Sequence, residues 1–310
     1  MSPIKFTNNN NIPLPIAIYL ATSNYEYDND ERVISATTLL KPTKAIHLAR
    51  KYKDNQKEVD IADLASMVVG SSIHAGVERS LEPENIRAIA PLFGSDPDKI
   101  IEHLSVEKRT KKEINGYIIS GQYDMAFKGT VCDVKSTSVW KYMLGDGKEY
   151  KRQMSIYKWL NPDIIKSSHG WIFYIFTDWS KKDYLQKSGS GYPPLRIASK
   201  EYELDSIDET ERWILEKTNA IKAMEHIPDE LLPDCTAEER WEKPAVWKYY
   251  KGESRVRSTA NYDNPREAYA RADREGGTVL EVKGESTGCK YCMVQNLCKQ
   301  YEQLKMLGMV

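Results

Sequence analysis

The chain has 310 residues, of which 41% are hydrophobic, and its formal net charge is −1. This length suits one large domain or a core with an appended lobe, and the balanced charge excludes a uniformly basic nucleic-acid-binding protein. No run reaches transmembrane length and no signal-peptide pattern opens the chain, so we expect a cytoplasmic protein without a membrane partner. The five cysteines, an odd number, favour metal binding in a reducing compartment over a disulfide framework.

The amino-terminal third predicts helices. Residues 1–34 are polar and rich in asparagine, and we expect a partly ordered lead-in with one apolar patch at 14–20. Ser35 or Thr37 stands near a predicted helix start. Residues 61–82 carry apolar side chains at helical spacing and predict a helix that contains His74. Residues 84–104 predict one or two shorter helices, broken near Gly94.

The middle of the chain predicts a sheet. Turn signals at Asn115-Gly116 and Lys128-Gly129 separate apolar, alternating runs, so residues of about 106–136 predict a three-stranded antiparallel meander. A helix around residues 148–160, an apolar central strand from residue 169, a strand at 196–204 and a long helix at 205–226 follow. The first meander strand carries four basic residues, which indicate either an exposed edge or a path for a phosphate backbone: Lys108, Arg109, Lys111 and Lys112.

Acidic and basic side chains meet on this predicted meander. Asp133 and Lys135 lie on one face of their strand because side chains alternate, and Asp124 arrives from the neighbouring strand. Two close carboxylates repel each other unless a cation lies between them, and Mg²⁺ or Mn²⁺ takes such oxygen ligands. A nearby lysine can stabilise charge that develops on a phosphate. Taken alone, so short a motif is more typical of an ordinary salt bridge on an exposed strand face.

Four short motifs occur in a fixed order along this region. They are Gly70-x-x-x-His74, Gly121-x-x-Asp124, Asp133-x-Lys135 and Gln153-x-x-x-Tyr157. Their order and spacing resemble the RecB-like branch of the PD-(D/E)XK nucleases, over roughly residues 35–174. The resemblance implies an α/β fold with a restriction-endonuclease-like core, a mixed central sheet flanked by helices, over residues 35–234.

The resemblance also implies roles for individual residues. His74, Asp124 and Asp133 would be metal ligands, with help from the carbonyl group of Val134, and the ions would be one or two Mg²⁺ or Mn²⁺. Lys135 would be the catalytic lysine. The last motif would orient that lysine or contact DNA: Gln153 and Tyr157.

Four cysteines lie in the last quarter of the chain. Cys289, Cys292 and Cys298 form a C-x2-C-x5-C cluster, and Cys235 lies upstream. Four thiolates can bind Zn²⁺ or a [4Fe–4S] cluster. Three close cysteines and a remote one are similar to the pattern of iron–sulfur RecB-like nucleases, which implies a [4Fe–4S] cluster in a lobe at residues 235–310. In that family the remote cysteine precedes the histidine motif, whereas here Cys235 must substitute, with Cys132 as the rival.

An insert at about residues 242–284 separates Cys235 from the other three. Its pattern predicts a small ββαβ subdomain with a turn at Lys251-Gly252-Glu253. For Cys235 to return to the cluster, the ends of the insert must lie close together. The insert mixes aromatic and basic side chains, which are typical either of a small core or of a surface that stacks bases: Trp247, Tyr249, Tyr250, Arg255 and Arg257.

The function implied by these features is metal-dependent hydrolysis of DNA. The run Cys235-Thr-x-Glu-Glu-Arg-Trp and the insert that follows it resemble phage-encoded RecB-like exonucleases. This resemblance implies digestion from DNA ends during DNA processing or recombination, and a possible replication or recombination protein partner. Two alternatives stay open: a catalytically silent DNA-binding or adaptor protein that keeps the fold, and an endonuclease. Strand preference, polarity and oligomeric state are not encoded in these motifs.

Overall fold

A computed structural model describes residues 5–22, 30–53, 58–187, 189–252 and 256–310. The first half contains β1 (Lys5–Thr7), α1 (Leu14–Ala21), β2 (Val33–Ser35), α2 (Ala36–Leu39), α3 (Thr43–Lys51), β3 (Glu58–Asp60), α4 (Ala65–Ser80), α5 (Pro83–Ile89), α6 (Pro97–His103), β4 (Leu104–Ile114), β5 (Tyr117–Phe127), β6 (Thr130–Thr137), α7 (Val139–Leu144) and α8 (Lys148–Leu160). The second half contains β7 (His169–Phe176), α9 (Lys181–Gln186), β8 (Ile197–Glu203), α10 (Ile207–Met224), β9 (Glu242–Lys243), β10 (Val246–Tyr250), β11 (Ala260–Tyr262), α11 (Pro265–Glu275), β12 (Thr278–Val282), β13 (Glu285–Ser286), α12 (Thr287–Lys290) and α13 (Lys299–Met306). Short 3₁₀ turns occur at Ile61–Leu64, Ala90–Phe93, Asp229–Leu231 and Gln295–Leu297. Within the described ranges, no helix is both long enough and apolar enough to cross a membrane.

The chain divides into two compact units. The sheet unit comprises residues 1–40 and 53–219, and the cysteine unit comprises residues 41–52 and 220–310. The sequence predicted the division at residue 235, but α3 and residues 220–234 belong with the cysteines. The physical reason is a shared core, in which Ala45 and Leu48 of α3 pack with Met224, Leu232 and Val294.

The sheet unit is built around a mixed sheet with the strand order β2-β5-β6-β7-β8, and β4 pairs with β5. β4, β5 and β6 form the predicted antiparallel meander. β6 then runs parallel to β7, and β7 runs antiparallel to β8. The fold is therefore mixed α/β with a central mixed sheet, and helices flank it, as the sequence predicted.

Helix α8 covers the centre of this sheet. Its Met154, Ile156 and Trp159 are fully buried. These three positions point in different directions around the helix, so its second half is enclosed on more than one side. Gly121 of β5 lies directly beneath it: a Cβ atom there would be 2.6 Å from a side-chain carbon of Leu160. Glycine at this position therefore lets the helix approach the strand that carries Asp124.

The lead-in is more regular than the sequence indicated. β1 pairs with β3 in parallel, and the apolar patch forms α1, which packs on Ile61 and Val68 through Ala17 and Leu20. β2 pairs with β5, so the main sheet begins at Val33 rather than at residue 35. Ser35 accepts a hydrogen bond from the Thr38 amide and caps α2, as expected for a helix start.

The insert of the cysteine unit has the predicted ββαβ order. β10 lies between β11 and β12, and α11 packs against all three strands. Tyr249 and Tyr250 are 0% and 6% exposed, so these aromatic side chains form the core of the insert instead of a base-stacking surface. Glu253 and Arg255 lie outside the described residues. β9 pairs with β13, so the two ends of the insert are joined.

Candidate active site

The candidate site lies where β5 and β6 separate. Their ladder ends at the pair Met125 and Cys132. Two residues beyond Cys132, the amide of Val134 donates a hydrogen bond of 2.7 Å to the Oδ2 atom of Asp124. The carboxylate of Asp124 therefore bridges the gap between the strands, beside Asp133.

Helix α4 and strand β6 bring the other predicted residues to this point. His74 Nδ1 lies 3.1 Å from Asp124 Oδ2, and Lys135 Nζ lies 2.6 Å from Asp133 Oδ2. The Asp133 side chain is 2% exposed, whereas those of the other three are 20–29% exposed. His74, which precedes the other three by 50 to 61 positions in the sequence, thus forms with them a half-open pocket that contains a buried carboxylate.

The pKa values of two pocket residues, Asp133 and His74, are both raised. Burial raises the pKa of Asp133 to about 6; the Lys135 ammonium opposes this shift and the Asp124 carboxylate adds to it. The hydrogen bond with Asp124 raises the pKa of His74, although burial acts in the opposite direction. Both groups hold protons more tightly than usual, Asp133 because its carboxylate is buried and His74 because it is hydrogen-bonded to Asp124.

The residues present fit a hard divalent cation. Asp133 Oδ2 is buried without a well-aligned hydrogen bond, and two carboxylates and an imidazole lie close together. Among the described residues, no three histidine, cysteine, aspartate or glutamate side chains are already arranged around one metal position. Coordination therefore requires the side chains to turn and the contact between His74 and Asp124 to open.

Three of the predicted residues have different contacts from those expected. The Val134 amide donates a hydrogen bond to Asp124 Oδ2, a contact that the sequence did not predict; its carbonyl stays a predicted metal ligand. Gln153 donates a hydrogen bond of 2.6 Å to the Tyr157 hydroxyl, and both side chains are buried in α8. Because both side chains are buried, neither is exposed for contact with DNA.

The sequence reasoning missed three further residues near the pocket. Glu107 lies in the cleft with Glu78 and His74, and its main chain has a positive φ of 36°, which is uncommon for a residue other than glycine. Burial raises the pKa of Glu107, and Glu78 adds to the shift through its charge and a hydrogen bond. The ring of Tyr150 lies 5.8 Å from Lys135 Nζ. The spacing of Tyr150, Gln153 and Tyr157 on one helix face is the signal that could have identified this tyrosine.

Three of the four cysteines of the cysteine unit are joined by consecutive main-chain turns. The amides of Cys292, Gln295 and Cys298 each donate to the carbonyl three residues earlier, at 3.1–3.3 Å. All four are free and partly buried. Burial raises the pKa of Cys235 to about 12, with smaller contributions from Glu239 and Cys298. Burial likewise raises the pKa of Cys289 and Cys292, and nearby thiols contribute.

Four thiols are chemically suited to bind a metal ion or an iron–sulfur cluster, but their sulfur atoms do not yet converge on one point. In the described part of the chain the cysteines, like the carboxylates, do not surround one metal position. Their side chains would have to turn inward and lose their protons on binding. Cys132 belongs to the sheet unit, where it is buried in β6 and its thiol faces the carbonyl of Thr130 at 3.7 Å. It is therefore a core residue of the sheet unit.

Comparisons with known proteins identify no family. No protein-family model matches the sequence, and no curated protein matches it. A crystal structure of SSO0001 is similar with a TM-score of 0.45 and 17% identity, over 92% of each chain. A phage-related exonuclease from Haemophilus somnus 129PT is similar with a TM-score of 0.32 and 12% identity, over 66% of this chain and 91% of that one. At these values neither likeness determines the fold or the function.

Proposed function

We propose that the protein is a metal-dependent deoxyribonuclease that hydrolyses phosphodiester bonds. The observation that supports this function is the meeting of His74, Asp124, Asp133 and Lys135 around a buried carboxylate oxygen without a well-aligned hydrogen bond. A protein that only binds DNA has no need of two close carboxylates beside a lysine and a histidine. The restriction-endonuclease-like arrangement of the sheet is part of the same proposal.

Each residue of the pocket has a role in this proposal. His74, Asp124 and Asp133 would hold Mg²⁺ or Mn²⁺, with the Val134 carbonyl as a further ligand. When bound, such an ion polarises a phosphoryl oxygen and lowers the pKa of water. Lys135 keeps a positive charge beside Asp133 and stabilises the charge that develops on the scissile phosphate.

The surroundings of the pocket restrict how these groups move. The Val134 amide fixes Asp124 by a hydrogen bond. The orientation of this carboxylate therefore depends on where the strands β5 and β6 separate. The hydrogen bond between Gln153 and Tyr157 holds two turns of α8 together behind the sheet. These contacts preorganise the pocket, because rigid elements hold reacting groups more accurately than loops do.

The finer features of the activity rest on the sequence resemblance. They are digestion from DNA ends, a role in DNA processing or recombination, a phage origin and a cytoplasmic location. We also propose that Cys235, Cys289, Cys292 and Cys298 hold a [4Fe–4S] cluster, with Zn²⁺ as the alternative. The cluster would connect the carboxyl-terminal segments of the cysteine unit, so that its binding energy contributes to folding.

The test measures cleavage of end-labelled linear DNA and of closed circular DNA, single- and double-stranded, in Mg²⁺ and in Mn²⁺. We expect Asp133→Asn and Lys135→Met to reduce cleavage by about 10²- to 10³-fold, the usual loss for groups that stabilise transition-state charge. Asp163→Asn and Lys141→Met change the same residue types at exposed positions and should leave cleavage unchanged. Circular dichroism of each variant reports whether the fold is retained.

The results separate the alternatives. Loss of cleavage in both pocket variants with retained fold supports the proposal, and rapid cutting of circular DNA would assign an endonuclease. Wild-type protein that binds DNA but leaves every substrate intact in both metals would identify the silent DNA-binding protein instead. Equal cleavage by the wild type and both pocket variants would show that the site has been placed wrongly.

A further inference from the structure

The segment before and at Cys235 is held by two buried side chains from different helices. Gln300 of α13 is 6% exposed, and its amide makes two hydrogen bonds with the main chain of Cys235. Its Oε1 atom accepts from the Cys235 amide at 2.8 Å, and its Nε2 atom donates to the Cys235 carbonyl at 3.0 Å. Because both main-chain groups of one residue are fixed, the direction of the Cys235 side chain is restricted as well.

The second buried side chain is Lys44 of α3. It is 4% exposed, and its ammonium donates to Asp234 Oδ1 at 3.1 Å and to the Leu232 carbonyl at 3.5 Å. The Asp234 carboxylate is 62% exposed and therefore only partly balances a buried positive charge. An anionic group nearby would stabilise this lysine further, and a metal held by four thiolates is such a group.

A third contact joins the other side of Cys235 to the cysteine motif. The Gly288 amide donates to the Arg240 carbonyl at 2.8 Å, and a Cβ atom at Gly288 would be only 2.9 Å from that same oxygen. Glycine is thus required for the segment after Cys235 to reach the residue before Cys289. The pairing of β9 with β13 continues this connection into the insert.

These contacts fix the position of Cys235 relative to the cysteine motif. Gln300 is two residues after Cys298 in the sequence, so the two hydrogen bonds place Cys235 next to the third cysteine of the motif. We propose that Gln300 and Lys44 are positioning residues that deliver Cys235 as the fourth ligand of the metal–thiolate site. This inference rests on the proposed thiolate site and is independent of nuclease activity.

A positioning role of Gln300 differs from a general structural role because its effect depends on the presence of the Cys235 thiolate. If Gln300 acts only by placing this thiolate, its substitution has little further effect once the thiolate is absent. A residue that merely stabilises the fold would instead add its own loss to that of Cys235→Ser, because independent effects add. Non-additivity is therefore the required result.

The experiment uses the full chain, purified without oxygen, and measures iron, sulfide and zinc per chain together with the rate of metal release to a chelator. We expect Gln300→Leu and Lys44→Met each to accelerate release by about 10- to 100-fold, the usual effect of residues that orient metal ligands. The matched controls are Gln303→Leu, exposed on the same helix as Gln300, and Lys51→Met on the helix of Lys44. Both should release metal at the wild-type rate.

The double variant Gln300→Leu/Cys235→Ser decides the outcome. We expect its metal content and release rate to equal those of Cys235→Ser alone. Additive losses, or wild-type release from Gln300→Leu, would overturn the proposal, as would normal metal retention in Cys235→Ser. A wild-type chain that cleaves DNA but retains neither iron nor zinc would also overturn it while leaving the proposed nuclease function intact. Circular dichroism of Gln300→Leu separates faster release from unfolding.

Discussion

The two units present their reactive side chains on different kinds of backbone. In the sheet unit, Asp124 and Asp133 lie on adjacent strands, and His74 lies on a long helix. In the cysteine unit, Cys289, Cys292 and Cys298 lie in or beside short turns, and a long insert separates them from Cys235. Hydrogen-bonded strands hold the carboxylates together without a ligand, whereas under our proposal the thiols would need a bound metal to complete their convergence.

A bound metal would therefore contribute differently to the carboxylate pocket and to the cysteine unit. At the carboxylate pocket the fold is already secured by a buried core that includes Trp159, Tyr123 and Phe176. A divalent ion there would relieve charge repulsion and supply chemistry. In the cysteine unit a smaller core surrounds Val294, and the metal would add folding free energy. One site would therefore lose function without its metal, and the other would lose structure.

The largest expected effect tests this contrast directly. Removal of the thiolate-bound metal, by Cys292→Ser or by a chelator, should unfold much of residues 220–310, because structural zinc sites contribute about 10 kcal/mol of apparent binding free energy. Limited proteolysis of the full chain with mass spectrometry should show new cleavage in that range and continued protection of residues 58–219. Cys132→Ser is the control. Equal protection with and without metal would contradict the structural role.

The second prediction concerns pH and the pocket without divalent ions. The pKa of Asp133 is raised from its ordinary 3.8 to about 6, and that of His74 is also raised. The folded state binds more protons than the unfolded state, so stability falls as pH rises from about 4 through about 6 and beyond the ordinary pKa of histidine. At about 1.4 kcal/mol for each unit of pKa, Asp133 accounts for about 3 kcal/mol at most.

Urea unfolding in EDTA between pH 4 and pH 8 measures this slope. We expect Asp133→Asn to show a weaker decline than the wild type, and Mn²⁺ at pH 8 to restore wild-type stability but not that of the variant. Identical slopes in both proteins would show that Asp133 does not titrate in this range.

The third prediction tests whether His74 is a ligand or only a partner of Asp124. His74→Ala should raise the Mn²⁺ concentration needed for half-maximal cleavage by about 10- to 100-fold, the range seen when metal coordination is weakened, and high metal should restore much of the rate. His103→Ala, an exposed histidine of the same unit, is the control. An unchanged metal titration with a lower melting temperature would assign His74 a structural role.

The fourth prediction gives the opposite pH dependence in the cysteine unit. His47 of α3 is buried, its Nε2 atom has no hydrogen-bond partner in the described structure, and burial, with Lys51 nearby, lowers its pKa. The unfolded state then binds the proton more readily, so stability is lost as pH falls below the ordinary value of about 6.5. Thermal unfolding of the metal-loaded chain at pH 5–7 should show this loss in the wild type and less of it in His47→Leu. A parallel loss in both would exclude His47 as the cause.

The comparison also explains how much the sequence could predict. Alternation placed Asp133 and Lys135 together, and turn signals located the meander, because strand geometry is periodic and local. Glu107 could not be predicted, since its position depends on a main-chain irregularity at φ 36° that no residue pattern announces. The assignment of α3 to the cysteine unit depends on packing between residues that are about 180 positions or more from their partners, such as Ala45 with Met224 and Leu48 with Val294.

The smallest expected effect concerns Tyr150, which the structure places against Lys135. Its ring centroid lies 5.8 Å from Nζ, and the ring is itself held edge-to-face against Tyr174 at 6.1 Å. A cation over an aromatic face gains about 0.5–2 kcal/mol, so Tyr150→Leu should lower kcat by roughly 3- to 30-fold with little change in KM. Tyr150→Phe keeps the ring and removes only the hydroxyl, and it should retain most of the activity. If both variants lose activity equally, the hydroxyl rather than the ring is what Lys135 or the substrate requires. If neither does, the ion pair with Asp133 alone is sufficient to hold the lysine in place.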